Sequence, residues 1–277
     1  MHRCLFAPIS ALAASVRAIM VGAFTHSQNH LPAMPDPQLV VYVRGGAHLC
    51  HVDGSVTPLP GAFLSGPTLA PRHFTVEPGS RFVTVAFRAH RLLDFFDLQA
   101  GDCPGALIPL DLLVPRAQAQ ALAENLRSAG ASTALLSVVQ RFLLERLLTR
   151  PLRSARLPML PPVRAFTPVE DLARETGLGV RQFERHFRAA YGMPLRDFRR
   201  LLRFSRALAQ MLTGPAGKGA IARIAQDSSY FDQSHFVRDF REFVGDTPGA
   251  FLSQQAQQEP RYELWRFSRE ELRLYTD

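Results

Sequence analysis

Residues 183–198 read FERHFRAAYGMPLRDF and residues 236–251 read FVRDFREFVGDTPGAF. Phe183, Arg185, Phe187, Gly192 and Phe198 of the first stretch reappear as Phe236, Arg238, Phe240, Gly245 and Phe251 of the second, each 53 positions further on (236 − 183 = 53). Upstream, Leu172-Ala173 answers Ile224-Ala225 one position out of step. A duplicated apolar frame with an Arg at the same place in each copy predicts two copies of one small helical unit.

In the first copy, the pattern predicts a short amphipathic helix over Val169–Glu175, with Leu172 and Ala173 inward. A turn at Thr176-Gly177 follows, then a second helix over Val180–Ala190 with Gly179 at its cap. Phe183 and Phe187 lie one turn apart and face the core, which leaves Arg181, Glu184, Arg185 and Arg188 on the outer face. The second copy predicts a bracing helix over Ala220–Gln226, an N-cap at Asp232 and a helix over Gln233–Phe243. There Phe236, Phe240 and Phe243 form the buried stripe, and Gln233, Ser234, His235 and Arg238 face out.

A short bracing helix followed by a second helix with polar residues at its outer N-terminal end is the layout of helix-turn-helix DNA recognition. Gln paired with adenine and Arg paired with guanine are the chemically natural base contacts. Between the copies, Leu195–Leu212 reads as one long helix of about 27 Å. A rod of that length sets two reading helices near one DNA turn apart, about 34 Å. Its Arg196, Arg199, Arg200, Arg203 and Arg206 are either phosphate contacts or a solvated face paired with Asp197 or another acid. The Phe stripes themselves are plain core, and the functional signal is the duplicated layout around them.

Charge agrees with an anionic partner. The 277 residues carry a formal net charge of +8, and of 32 basic residues only Lys218 is a lysine. Residues 179–243 hold 12 basic against 6 acidic side chains, a net of +6. A chain that is 47% hydrophobic can bury real cores, and its length suggests two domains. Cys4, Cys50 and Cys103 are too few and too scattered for a disulfide framework, which favours a reducing cytoplasm. The apolar start from Met1 to Met20 is broken by Pro8 and Arg17, and residues 8–20 are read as a short helix rather than an export signal.

The N-terminal part has a different period. Leu39–Val43, His48–Val52, Ala62–Ser65, His73–Val76 and Arg81–Phe87 are strand-like runs punctuated by Gly and Pro turns, which argues for a small antiparallel barrel or sandwich. Helical patterns follow at His90–Leu98, Pro115–Ser128 and Ser132–Thr149, the last two forming a pair that packs on the strands or meets another subunit. Five prolines between Pro151 and Pro168 mark a linker. The expected division is a sensor or dimerisation domain at 1–150, a linker at 151–167, the tandem unit at 168–254 and a tail at 255–277 that holds one last helix folding back.

The second copy carries Ile224-Ala225, then Tyr230-Phe231-Asp232-Gln233-Ser234-His235-Phe236, Phe240, Phe243, Gly245-Asp246-Thr247-Pro248 and Phe251. The first adds Gly192-Met193-Pro194, Phe198, Arg203 and Ala207. These residues resemble the DNA-binding domain of the AraC/XylS family of bacterial transcription regulators over 168–254. The N-terminal part is similar, more loosely, to the small cupin-like β-barrel sensor domains that precede this module in many members. The resemblance implies an α+β chain: an N-terminal antiparallel barrel with helices, then an all-α tandem helix-turn-helix domain. It implies a cytoplasmic, nucleoid-associated regulator, an activator or a repressor, that binds double-stranded promoter DNA and meets RNA polymerase. A small-molecule effector and a homodimer are further implied partners, with no membrane and no cofactor. Base contacts carry over to Arg181, Glu184, Arg185, Gln233, Ser234, His235 and Arg238, and phosphate contacts are assigned to Arg188, Arg199 and Arg203. Two positions depart from the family pattern: Gly179 stands in place of the usual capping Ser, and the Pro-rich 151–168 stands where members usually have a further helix.

Two rival readings remain open. His48, Cys50 and His51 would suit a metal-dependent barrel enzyme of cupin type, but strand alternation sends His51 to the other face and no carboxylate completes a set. A sensor-only adaptor that has lost DNA binding through its first unit is the other. No Ser/His/Asp arrangement, phosphate loop or paired-carboxylate motif is present to support catalysis.

Overall fold

The computed structural model describes residues 2–150, 159–214, 219–265 and 267–276. Its N-terminal part is built from ten strands: β1 (His2–Phe6), β2 (Val16–Ala23), β3 (Gln28–Leu31), β4 (Gln38–Arg44), β5 (Ala47–Cys50), β6 (Val56–Pro58), β7 (Ala62–Ser65), β8 (Arg72–Val76), β9 (Arg81–Phe87) and β10 (Leu107–Pro109). They form two antiparallel sheets, one of six strands in the order β1-β2-β9-β4-β7-β10 and one of four in the order β3-β8-β5-β6. The sheets face each other across a cavity, and the expected cupin-like closed barrel does not form. Among the described residues β1 and β10 remain the outer strands of the larger sheet, so its ladder ends at two edges rather than closing on itself.

Alternation sorts the larger sheet into two faces. In β4, Leu39, Val41 and Val43 are buried in one cluster with Val83, Val85 and Phe87 of β9. That cluster is completed by α1 (Arg116–Ser128) and α2 (Ser132–Thr149), so the helix pair packs on the sheet. Arg146 of α2 is buried there because its guanidinium donates to the Phe95 carbonyl at 2.7 Å and 3.0 Å. The opposite face, with Val40, Tyr42 and Phe82, looks into the cavity between the sheets.

Two helical expectations at the N-terminal end are corrected. Residues 8–20 are not a helix: a 3-10 turn at Ser10–Leu12 leads into β2. The β-branched Val16, Ile19 and Val21 are buried in the strand, which is central because β1 and β9 pair on either side of it. His90–Leu98 is only a 3-10 turn over Ala89–Asp94. β1, β3, β6 and β10, of three to five residues each, lie outside the expected strand runs.

The C-terminal part is helical: α3 (Val169–Glu175), α4 (Val180–Tyr191), α5 (Leu195–Thr213), α6 (Ala220–Asp227), α7 (Gln233–Val244), α8 (Pro248–Ala256) and α9 (Arg269–Thr276), with 3-10 turns at Arg164–Phe166 and Pro260–Trp265. The bounds of α3 to α7 fall within one residue of the expected ones, while α8 lies inside the expected tandem unit without an expected counterpart. Of the expected linker, residues 151–158 lie outside the described residues, as does Lys218. One apolar cluster runs from the Phe frame of both units through Phe204 of α5 to Phe24, Phe74 and Phe82 of the sheets.

Candidate nucleic-acid interface

The duplicated frame is the core, as its spacing requires. Phe183 and Phe187 of α4 are buried, and Phe236, Phe240 and Phe243 of α7 are fully enclosed. With those positions turned inward, the helical period leaves Arg181, Glu184, Arg185 and Arg188 of α4 exposed. Gln233, Ser234 and Arg238 of α7 are exposed by the same rule. His235 is turned partly inward: its ring meets Tyr230 edge-on at 5.3 Å, and its Nε2 lies 3.9 Å from Asp239.

Both reading helices stop at a glycine in the left-handed region, Gly192 (φ 76°) and Gly245 (φ 86°), where a side chain would be strained. Their starts differ. The Asp232 carboxylate accepts from the His235 N–H at 2.7 Å and so satisfies one of the orphan donors of α7. At the start of α4, Gly179 offers no such acceptor. Thr247 caps α8 in the same way through the Ala250 N–H at 3.1 Å.

The arginines of α5 have separate destinations. Arg199 donates Nε to the Ala165 carbonyl and Nη2 to that of Thr167, both at 2.5 Å, and so clasps the segment that precedes the first bracing helix. The 3-10 turn there, which also holds an Arg164–Glu175 pair at 2.5 Å, stands where a further helix is usual in the resembled family. Arg200 bridges to Asp239 at 2.7 Å and Glu242 at 2.5 Å on α7, and these two carboxylates hold its guanidinium more firmly protonated than usual. Arg203 lies over the Tyr230 ring at 5.7 Å. Arg196 and Arg206 are exposed, although Arg196 Nε also lies 3.5 Å from Asp197. No signal in the sequence distinguishes the fates of Arg199, Arg200 and Arg203, because Ala165, Thr167, Asp239, Glu242 and Tyr230 lie on other elements.

The helical part is tied to the sheets along a continuous seam. The Ala33 N–H donates to the Phe243 carbonyl at 2.9 Å. Gly101 packs so closely on α4 that a Cβ there would sit 2.7 Å from the Ala189 Cα. The Tyr262 hydroxyl donates to Asp246, and the Tyr262 ring lies 5.3 Å from that of His30. His30 Nδ1 in turn lies 3.0 Å from His73 Nδ1. Burial first, and then the neighbouring His73, pushes His30 down to about 4.

A cavity of about 210 Å³ opens on this seam. Its walls are mostly apolar: Phe63 and Phe74 from the sheets, Phe204, Leu208 and Leu212 from α5, and Phe267 from the tail. Arg72 is the cationic group in its wall, and it donates to Ser65 at 2.7 Å and to the Gly105 carbonyl at 2.6 Å.

The residues weighed for a metal do not converge. His48 and Cys50 lie on β5, while His51 follows it and pairs its Nε2 with Thr57 at 2.9 Å. No group of three His, Cys, Asp or Glu side chains able to hold a metal ion occurs among the described residues. Nor, among them, is any helix long and apolar enough to cross a membrane.

Residues 172–254 match the family model described as a helix-turn-helix domain. No curated protein sequence matches the chain. Among solved structures, the chain is similar to ToxT from Vibrio cholerae at 12% identity and a TM-score of 0.45, over 85% of this chain and 98% of that one. A structure of ToxT from Vibrio cholerae strain SCE256 with bound unsaturated fatty acid is similar at 12% identity and a TM-score of 0.44, over 84% and 94% of the two chains. The AraC-like transcriptional activator CuxR is similar at 13% identity and a TM-score of 0.29, over 75% of this chain and 87% of that one.

Proposed function

We propose, from the match of residues 172–254 to a helix-turn-helix domain model, that the chain is a sequence-specific transcription regulator of the AraC type whose N-terminal sheets receive a small-molecule signal. The observation that carries this reading is the sorting of two matched helices: the shared Phe frame is buried in both, and the polar residues of their outer faces are left for a partner.

In this reading Arg181, Glu184 and Arg185 of α4, and Gln233, Ser234 and Arg238 of α7, contact base edges, with His235 joining them from its half-buried position. Arg188 contacts phosphate. Arg199 and Arg203 reach phosphate only by leaving the carbonyls and the ring that now hold them. The small-molecule site is the seam cavity, and its geometry supports a control route. A ligand there rests on Phe204, Leu208 and Leu212 of α5, the rod that joins the two reading units. RNA polymerase and a second copy of the chain are the further partners this function calls for, and the bacterial cytoplasm is its place.

The test is selection of bound sequences from random duplexes by the full chain. A single consensus should emerge, with log K falling about 0.9 per phosphate neutralised as log salt rises. Recovery of no consensus, or an affinity flat between low and moderate salt, would remove the reading.

A further inference from the structure

The two units differ by one residue, and the structure locates it. Up to the turn, their backbone hydrogen bonds correspond at an offset of 52 (229 − 177 = 52): Gly177 donates to Arg174 and Ser229 to Gln226, both at 3.1 Å. Leu178 donates to Ala173 at 2.9 Å, and Tyr230 to Ala225 at 3.0 Å. Gly177 and Ser229 share a left-handed backbone, with φ of 68° and 62°. From the cap onward the offset is 53 (232 − 179 = 53): Phe183 donates to Gly179 and Phe236 to Asp232. Leu178 therefore corresponds to Tyr230, Gly179 corresponds to Asp232, and Phe231 has no counterpart in the first unit.

This extra residue is the most exposed aromatic described, at 92%. It is not exposed through looseness. Tyr230 before it is buried under Arg203, and Asp232 after it caps α7, so both neighbours are fixed and the ring is held outward. Enclosing a Phe side chain is favourable, so a rigid turn that presents one to water leaves that gain to a partner. The ring stands immediately before the first turn of α7, beside exposed Gln233 and Ser234. The N-terminal end of a recognition helix is the part that meets base edges. A phenyl ring has no donor or acceptor for those edges. What it can recognise in the major groove is the thymine methyl group.

We propose that Phe231 reads sequence by packing its ring on a thymine methyl next to the bases contacted by Gln233 and Ser234. The proposal rests on the DNA-binding reading of the chain and gives the second unit a specificity element that the first lacks.

The test uses the full chain and a duplex recovered by selection, with each thymine replaced in turn by deoxyuridine, which lacks only the methyl. The wild-type chain should lose about fourfold in affinity at one thymine, the worth of one buried methyl. Phe231→Ala should lose at least that much on the intact duplex and ignore the uracil at that position. Phe231→Leu, still apolar, should keep part of the discrimination. Thermal unfolding of Phe231→Ala should match the wild type, since the ring packs on nothing inside. A Phe231→Ala chain with full affinity and the wild-type uracil profile overturns the proposal, and if it has also lost transcription with RNA polymerase, the ring meets a protein instead. Failure of the wild-type chain to recover any duplex removes the DNA-binding reading and this inference with it, whereas recovery with no response at Phe231 removes this inference alone.

Discussion

The guanidinium of Arg200, on the rod between the two units, lies 2.7 Å from the buried carboxylate of Asp239 on the second reading helix. Asp239 has a side chain only 2% exposed, and Arg200 is the partner that offsets the burial of its carboxylate. Arg200 also lies over Phe243 at 5.0 Å and reaches Glu242 on the rim. This side chain thus ties α7 to α5, beside the packing of Phe204 on Phe240 and Phe243.

Removing it leaves a buried charge without its main partner. Arg200→Ala should destabilise the protein by about 3–5 kcal/mol. Pairing it with Asp239→Leu should restore most of that, because the double change removes the charge as well as its partner. Urea unfolding of the three chains measures both effects. Equal stability of Arg200→Ala and the wild type would show that the pair does not hold α7 in place.

Arg238 stands exposed on α7, and under the proposed function it contacts a base. Arg238→Ala should cost about 1–3 kcal/mol and relax selection at one position of the consensus. Repeating the selection with the variant reads this directly. A loss spread evenly over all sequences, with a shallower salt slope, would instead place Arg238 on the phosphates.

Acid should weaken the seam. His30 and His90 are held down at about 4 from an ordinary 6.5, each first by burial. Around His30 the charged neighbours are His73, Asp246 and Arg261, and around His90 they are Arg91, Arg88 and Arg17. Both stay neutral in the folded chain at a pH where the unfolded chain has taken up the protons. Stability is therefore fully present above about 6.5 and falls as pH drops towards about 4, by on the order of 3 kcal/mol per group across the window. Denaturant midpoints measured between about pH 7 and about pH 5 should decline, and His30→Gln should flatten the slope. Midpoints that hold steady or rise would contradict the assignment.

The bare cap of α4 can be improved. Gly179 has φ of −72° and open space around its Cβ position, so a side chain fits without strain. Gly179→Ser should raise stability by about 0.5–1 kcal/mol, through an acceptor for the first turn and a less flexible unfolded chain. Calorimetric melting tests it, and a lower melting temperature would mean that the start of α4 is not limited by its cap.

How much of this was legible in the sequence follows from the range of the forces involved. The Phe spacing determined the stripes of α4 and α7, and the Asp232 cap and the terminal glycines of both helices fixed their ends, because each rests on contacts within a turn or two of chain. The same spacing settled which polar residues face outward, except His235, which Tyr230 and Asp239 hold partly inward. Val16–Ala23 is a strand because β1 and β9 flank it, and no residue within that segment announces its neighbours. Whether Arg199 clasps Ala165, Arg200 meets Asp239 or Arg188 stays free for an anion depends on elements that sequence separates widely and only packing brings together. The one-residue slip between the copies was visible as a count. That the extra residue is an aromatic ring held out into solvent was decided by the fixed conformations of Tyr230 and Asp232 on either side of it.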